Sequence, residues 1–389
     1  MVRPVAFVVA YALCLTLGAA LTAPKRFAAL QREAKKRSDE WVDRYRSKGL
    51  ETPPPCPCSD KSLCEPVSGP PTREKEVFGF HGGGAYKRFD WKRISTIAWG
   101  ETPGLLCLAH QHNVRIILSA PSVVLTDNAT ARADYASTVV QLVQHNFADG
   151  VTFDYESPLP IGSPEAEWYA ALISETRAAL HKANPSYQVS TCVAWSPDSI
   201  DGRNYPIVDL AKASDLLYVM DYDTRSQVFD ACLASANAPY FGMVHGLQRY
   251  LALGVDPGKL ILGVPWYGYH YTCEAGTKPT DRYCPIPSVP FRGYNCSDAA
   301  GTEIQIDDLP VANATVEGYD KSMNAPWFNT FDGKVVSQYW YDNAESLGLK
   351  YTYAKSLQLK GVGPFCFDDI DGLDDQKRQN IWDAFELFF

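Results

Sequence analysis

Asp154 and Glu156 stand two positions apart in the run Asp149-Gly150-Val151-Thr152-Phe153-Asp154-Tyr155-Glu156. Its β-branched and aromatic residues suit a strand. Side chains alternate faces along a strand, so Thr152, Asp154 and Glu156 project from one side while Val151, Phe153 and Tyr155 project from the other. Two carboxyl groups are thereby crowded. They cannot both ionise freely, and one that stays neutral can donate a proton at a pH where an isolated carboxyl is already charged. That is acid chemistry of the kind that breaks a glycosidic bond. A solvated acidic strand end has the same local sequence, so the surroundings of the pair must decide.

Short apolar runs recur from Glu76 onward with helical patterns between them, which predicts repeated βα units around a parallel sheet. Eight strands are expected: Val77–Phe80, Thr96–Trp99, Val114–Ser119, Gly150–Asp154, Gln188–Ala194, Leu216–Met220, Leu260–Val264 and Gly361–Phe367. Eight βα units need about 250 residues, so the chain accommodates an α/β fold of the (β/α)8 TIM-barrel type with loop insertions, mainly after strand 7. A doubly wound sheet would want a phosphate-binding turn after its first strand, and His81-Gly82-Gly83-Gly84 lacks the required glycine spacing. In a barrel the carboxyl ends of the strands form the active face. The fourth strand would bring Asp154 and Glu156 there, the fifth Trp195, the sixth Met220-Asp221-Tyr222-Asp223, and the seventh Pro265-Trp266-Tyr267-Gly268-Tyr269.

The formal charge of −9 argues against a nucleic-acid partner. Arg3, the apolar run Val5–Leu21 and the small residues Gly18, Ala19 and Ala20 read as a secretory signal over residues 1–20, too short for a comfortable membrane span. Numerous cysteines and the sequons at Asn128, Asn295 and Asn313 agree with an oxidising, glycosylating route. Residues 21–55 form a charged extension or propeptide with helical composition over Gln31–Ser47, set apart from a catalytic domain at 56–389. Cys56, Cys58 and Cys64 have a superficial metal-knuckle spacing, but no second ligand pair follows, and disulfides are expected instead, first of all between Cys273 and Cys284.

The fourth-strand run resembles the D-x-x-D-x-D-x-E motif of glycoside hydrolase family 18, and Met220-Asp221-Tyr222-Asp223 resembles its M-x-Y-D motif. Further blocks, among them Ala194-Trp195-Ser196-Pro197, Ala236-Asn237-Ala238-Pro239-Tyr240, Gly263–Tyr269 and Trp340-Tyr341-Asp342-Asn343, are similar to a lysosomal branch of that family. The resemblance implies an exo-acting glycosidase for chitobiose-type, N-acetylglucosamine-containing oligosaccharides, with an endo-acting chitinase or a silent chitin-binding lectin as alternatives. It implies substrate-assisted retaining catalysis: Glu156 as acid, Asp154 orienting the substrate's acetamido group, Tyr222 bonding its oxygen, and Asp223 in support. Trp195, Trp266, Tyr267 and Phe365 would bind sugar, Trp266 as a stacking wall, with a buried core indole as the other reading of that residue. No cofactor, metal, nucleic acid or membrane partner is implied after signal removal, the protein is expected to be a monomer, and its address would be the lysosome or the exterior.

Three positions depart from the family pattern. Thr152 replaces a further Asp found in many members, which implies altered tuning of Asp154. Asp221 adds a carboxylate that would either raise its neighbours' pKa values or face solvent. Phe365, in Gly361-Val362-Gly363-Pro364-Phe365, occupies the place of the usual Trp floor, and Asp368, Asp369 and Asp371 beyond it read as a solvated loop.

Overall fold

The computed structural model describes residues 24–48, 54–100, 102–228 and 231–389; the expected signal at 1–20 lies outside the described residues. In chain order the elements begin with helix α1 (Pro24–Lys48), strands β1 (Glu76–Phe80) and β2 (Thr96–Ala98), and helix α2 (Pro103–Gln111). Strand β3 (Arg115–Ser119), helix α3 (Ala129–His145), β4 (Gly150–Phe153), α4 (Pro164–Ala183) and β5 (Gln188–Ala194) follow. Next come α5 (Ile207–Ala213), β6 (Leu216–Met220), α6 (Tyr240–Ala252) and β7 (Leu260–Pro265). Strands β8 (Tyr267–Thr272), β9 (Gly301–Gln305), β10 (Ala314–Asp320), β11 (Ala325–Phe331) and β12 (Val336–Trp340) precede α7 (Ala344–Ser356), β13 (Gly361–Phe365) and α8 (Asp375–Asp383).

Strands β1 to β7 and β13 close a parallel barrel in the order β1-β13-β7-β6-β5-β4-β3-β2, and each coincides with one of the eight expected runs. The insertion after β7 is more than loop. It is a five-stranded antiparallel sheet, β10-β11-β12-β8-β9, held by runs such as Ala325–Phe331 that are as strand-like as the barrel's own.

Strand parity sorts the side chains into two layers. Val77, Ile97, Ile116, Val151, Phe153, Val219, Leu262 and Val362 face outward and join the helices in one apolar cluster. Phe78, Phe80, Ala98, Ile117, Cys192, Tyr218, Met220 and Phe365 face the axis in another. Tyr218 fills the interior, and its ring takes the space that a Cβ at Gly263 would need, only 2.3 Å from the ring edge. At Gly150 the backbone φ of +148° and a Cβ position 1.9 Å from the Gln188 carbonyl oxygen exclude a side chain, so the strand carrying the acids must start on glycine. Its neighbour Asp149 is wholly buried and accepts from Val67 N (2.7 Å) and Ile116 N (2.7 Å), with His110 Nε2 at 2.9 Å, so this first motif acid ties strands and loops together.

Among the described residues, four disulfides join Cys56–Cys64, Cys58–Cys107, Cys232–Cys296 and Cys273–Cys284. The knuckle-like cysteines are therefore bridged, and the pair favoured from sequence is formed. Asn128, Asn295 and Asn313 are all exposed.

Candidate active site

Asp154 and Glu156 follow β4 at the carboxyl-end mouth of the barrel, where a cavity of about 390 Å³ is lined by Glu156, Trp195, Arg203, Tyr222, Asp223 and Tyr269 among others. One nitrogen spans the pair: Gln31 Nε2, from α1, donates to Asp154 Oδ2 at 3.0 Å and to Glu156 Oε1 at 2.8 Å. Both carboxyl groups thus converge on a point that a single donor can occupy. The other Glu156 oxygen, Oε2, accepts from Arg203 Nη1 at 2.7 Å, and Arg203 Nη2 reaches Asp201 Oδ2 at 3.0 Å. Asp154 Oδ1 is enclosed and has no hydrogen-bond partner among the described residues. Withdrawal from water, followed by the nearby Glu156 charge, pushes the Asp154 carboxyl up to about 7 against the opposing pull of Gln31, Arg203 and Lys35.

Beneath Asp154, Thr152 is fully buried with its Oγ1 3.7 Å from Cys192 Sγ. A hydroxyl–thiol contact thus fills the barrel interior directly below Asp154. The negative charge that acts on Asp154 is therefore that of Glu156, with no acid below it on the same strand.

The segment after β6 and strand β8 supply the opposite wall. Tyr222 is buried at the mouth, 5.7 Å ring to ring from Phe365. Asp223 Oδ1 accepts from the hydroxyls of Tyr267 (2.7 Å) and Tyr269 (3.1 Å), while its backbone N–H donates to Asn237 Oδ1 at 2.6 Å. Burial raises the Asp223 carboxyl to about 6; the two tyrosine bonds oppose the shift, and Glu156 and Asp201 add to it. Trp195 lines the cavity, and its indole Nε1 lacks a hydrogen-bond partner among the described residues.

Trp266 does not form a sugar wall. It is fully buried in the outer layer, edge-on to Trp382 at 5.1 Å and to Phe367 at 5.9 Å, because its strand parity is opposite to that of Tyr267. Asp221 likewise neither faces solvent nor reaches the mouth. Only 1% exposed, it lies in the field of the buried Lys350–Asp342 ion pair (2.7 Å), and burial pushes it up to about 7. The solvated-loop expectation for Asp368 and Asp369 is also overturned. Asp368 accepts the backbone N–H groups of Gly82 (2.7 Å) and Gly84 (2.9 Å), and Asp369 accepts from Gln305 Nε2 at 2.9 Å. Any Cβ at Gly82 or Gly84 would crowd Asp368 at 2.9 or 2.8 Å, so the glycine run is a cradle for this buried carboxylate. Phe365 packs at 5.4 Å from Phe80 and 5.7 Å from Trp99, inside the mouth-side aromatic cluster.

Sequence reasoning missed Arg203 and Gln31. Arg203 follows β5 in an irregular segment with no periodic pattern, and Gln31 belongs to the segment set apart as an extension.

The family description "Glycosyl hydrolases family 18" matches residues 110–368. A di-N-acetylchitobiase of Mus musculus is 38% identical over 340 residues, covering 85% of this chain and 92% of that protein. A probable di-N-acetylchitobiase of Dictyostelium discoideum is 37% identical over 354 residues, covering 86% and 91% of the two chains. In fold, the barrel is similar to a plant class V chitinase mutant from Cycas revoluta in complex with (GlcNAc)3, with a TM-score of 0.64 at 18% identity over 81% of this chain and 100% of the other.

Proposed function

The chain belongs to family 18 of the glycosyl hydrolases, and from that premise we infer an exo-acting glycosidase that hydrolyses the β-1,4 bond of chitobiose-type oligosaccharides. The observation that carries the reading is the convergence of Asp154 and Glu156 on one hydrogen-bonding point at the mouth, opposite Tyr222. A sugar whose 2-acetamido group lies there can supply its own nucleophile. Glu156 transfers a proton to the glycosidic oxygen as the bond from C1 to that oxygen breaks, and the acetamido carbonyl oxygen bonds to C1 from the other face. The leaving sugar departs as an alcohol and an oxazolinium ion remains. Water then attacks C1, giving its proton to the Glu156 carboxylate and restoring the original anomeric configuration.

Asp154 accepts the acetamido N–H and faces the positive charge that develops there. A carboxyl poised near 7 ionises more readily as a cation forms beside it, so the interaction strengthens toward the transition state. Tyr222 orients the acetamido oxygen. Asp223, fixed by two tyrosine hydroxyls and Asn237, holds the wall in place, and Arg203 orients Glu156 through its second oxygen. Trp195 offers an aromatic face to sugar. The exposed sequon asparagines support passage through the secretory route to a lysosomal or external address.

Product analysis on N-acetylchitooligosaccharides of several lengths tests the reading. Stepwise release of single N-acetylglucosamine units is expected, with each newly formed reducing end appearing first as the β-anomer by NMR. Internal cleavage giving mixed longer products from the first minutes would make it an endo-acting enzyme, and α-anomer formation would exclude acetamido participation.

A further inference from the structure

Helix α1 lies across the mouth of the barrel. Its residues 31, 34, 38, 41, 42 and 45 are at least half-buried and recur at helical spacing, whereas 32, 33, 36, 37, 40, 43 and 44 are exposed. The buried face fits its seat step by step. Ala34 is fully buried in the inner aromatic cluster, where its small side chain allows close approach. Ser38 Oγ donates to the Ser119 carbonyl at 2.7 Å, and Asp39 accepts from Ser122 N (2.7 Å) and Ser122 Oγ (2.6 Å), both just beyond β3. Trp41 stacks on Tyr45 at 5.1 Å and packs on His145 of α3 at 5.3 Å. At the other end, the two hydrogens of the Gln31 amide nitrogen meet one oxygen from each catalytic carboxyl.

We propose that α1 is a built-in inhibitor, with the Gln31 carboxamide standing in for substrate at Asp154 and Glu156. This rests on the catalytic assignment of those two acids. The amide N–H on Asp154 occupies the position of the substrate's acetamido N–H, and the second N–H on Glu156 takes the oxygen that would address the glycosidic bond. Sugar and Gln31 cannot hold these groups together, so the chain is latent while α1 is docked. The attachment is reversible in kind. All four described disulfides lie on the barrel side of Lys48, so after one cut between Lys48 and Cys56 the described residues hold α1 by noncovalent contacts alone.

The test is the full chain carrying a site-specific protease sequence inserted between Lys48 and Cys56, assayed on N,N'-diacetylchitobiose before and after cutting and removal of the released segment. A docked state that leaves about a tenth of the molecules open predicts a rise in kcat/KM of about tenfold on cutting. Gln31→Ala should activate the uncut chain in part, and a synthetic peptide of residues 24–48 should inhibit the cut enzyme competitively. Equal activity before and after cutting overturns the proposal, as does a fall in activity on cutting or in Gln31→Ala, since either fall makes α1 part of the working site. If neither form hydrolyses the sugar, the functional reading fails, and calorimetric binding of a thiazoline mimic of the oxazolinium decides the inference separately. Tighter binding to the cut form supports it, and equal or absent binding in both forms overturns it.

Discussion

Two pairs of adjacent residues, Asp221-Tyr222 and Trp266-Tyr267, divide the barrel between chemistry and packing. Tyr222 and Tyr267 turn inward to the mouth, where one lines the cavity and the other binds Asp223. Asp221 and Trp266, each one position earlier, turn outward into the shell between strands and helices. An acid and an indole would suit a sugar site by type alone. Parity overrides type: the same chemical groups are functional on one face of a strand and structural on the other.

The largest effect that would break this division is at the mouth. Glu156→Gln should lower turnover of natural oligosaccharide by about 10²- to 10⁴-fold while the fold and melting temperature persist. A substrate whose leaving group needs no proton should suffer much less, and turnover of the natural substrate within a few-fold of wild type would remove Glu156 from the acid role. Trp266→Ala belongs to the other face. It should cost about 3–5 kcal/mol in denaturant unfolding, with the Michaelis constant of the folded fraction unchanged. A raised Michaelis constant at intact stability would return Trp266 to the sugar site.

Phe365 sits on the seam between the two roles. Enclosed by Phe80, Trp99 and Tyr222, it should resist enlargement, with Phe365→Trp costing about 1–3 kcal/mol by overpacking. If its ring is also the floor under the sugar, Phe365→Ala will raise the Michaelis constant in addition to lowering the melting temperature.

The smallest effect concerns Asp221. Its native pKa of about 7 lies above the ordinary carboxyl value of 3.8, so between those values the folded state binds the extra proton. Stability from this group is present at acidic pH and is lost as pH rises toward and through 7. Asp221→Asn should therefore flatten the fall in melting temperature between about pH 4 and pH 7. An unchanged slope would show that Asp221 titrates as an ordinary carboxyl.

The eight barrel strands were legible because each is a short apolar run whose two faces are both buried. Asp154 and Glu156 were legible because one run, continuing past the end of β4, carries both. The alternation that paired them also separates Tyr222 from Asp221 and Tyr267 from Trp266, and extending it past the strand ends would have found the outward residues. Other features had no local signal. The seating face of α1 is periodic, with Ala34, Trp41 and Val42 buried, but nothing local marks the polar Gln31 beside them as the residue that reaches the two acids. Arg203 finds Glu156 from an irregular loop. Asp368 looks solvated in an acidic run, since the amides that neutralise it come from glycines at the far end of the barrel sequence.

That last contact bears on when the protein can begin to work. Asp368 holds the Gly82 amide across 286 residues of sequence, and β1 pairs with β13 through Glu76–Gly361 and Val77–Val362. The first strand waits for the last. During ribosomal synthesis the glycine loop and the barrel seam stay open until almost the whole polypeptide has emerged, and such distant pairings form slowly. A chain truncated before Gly361 would retain every residue of the Asp154–Glu156 pair yet have no closed wall on which to hold it.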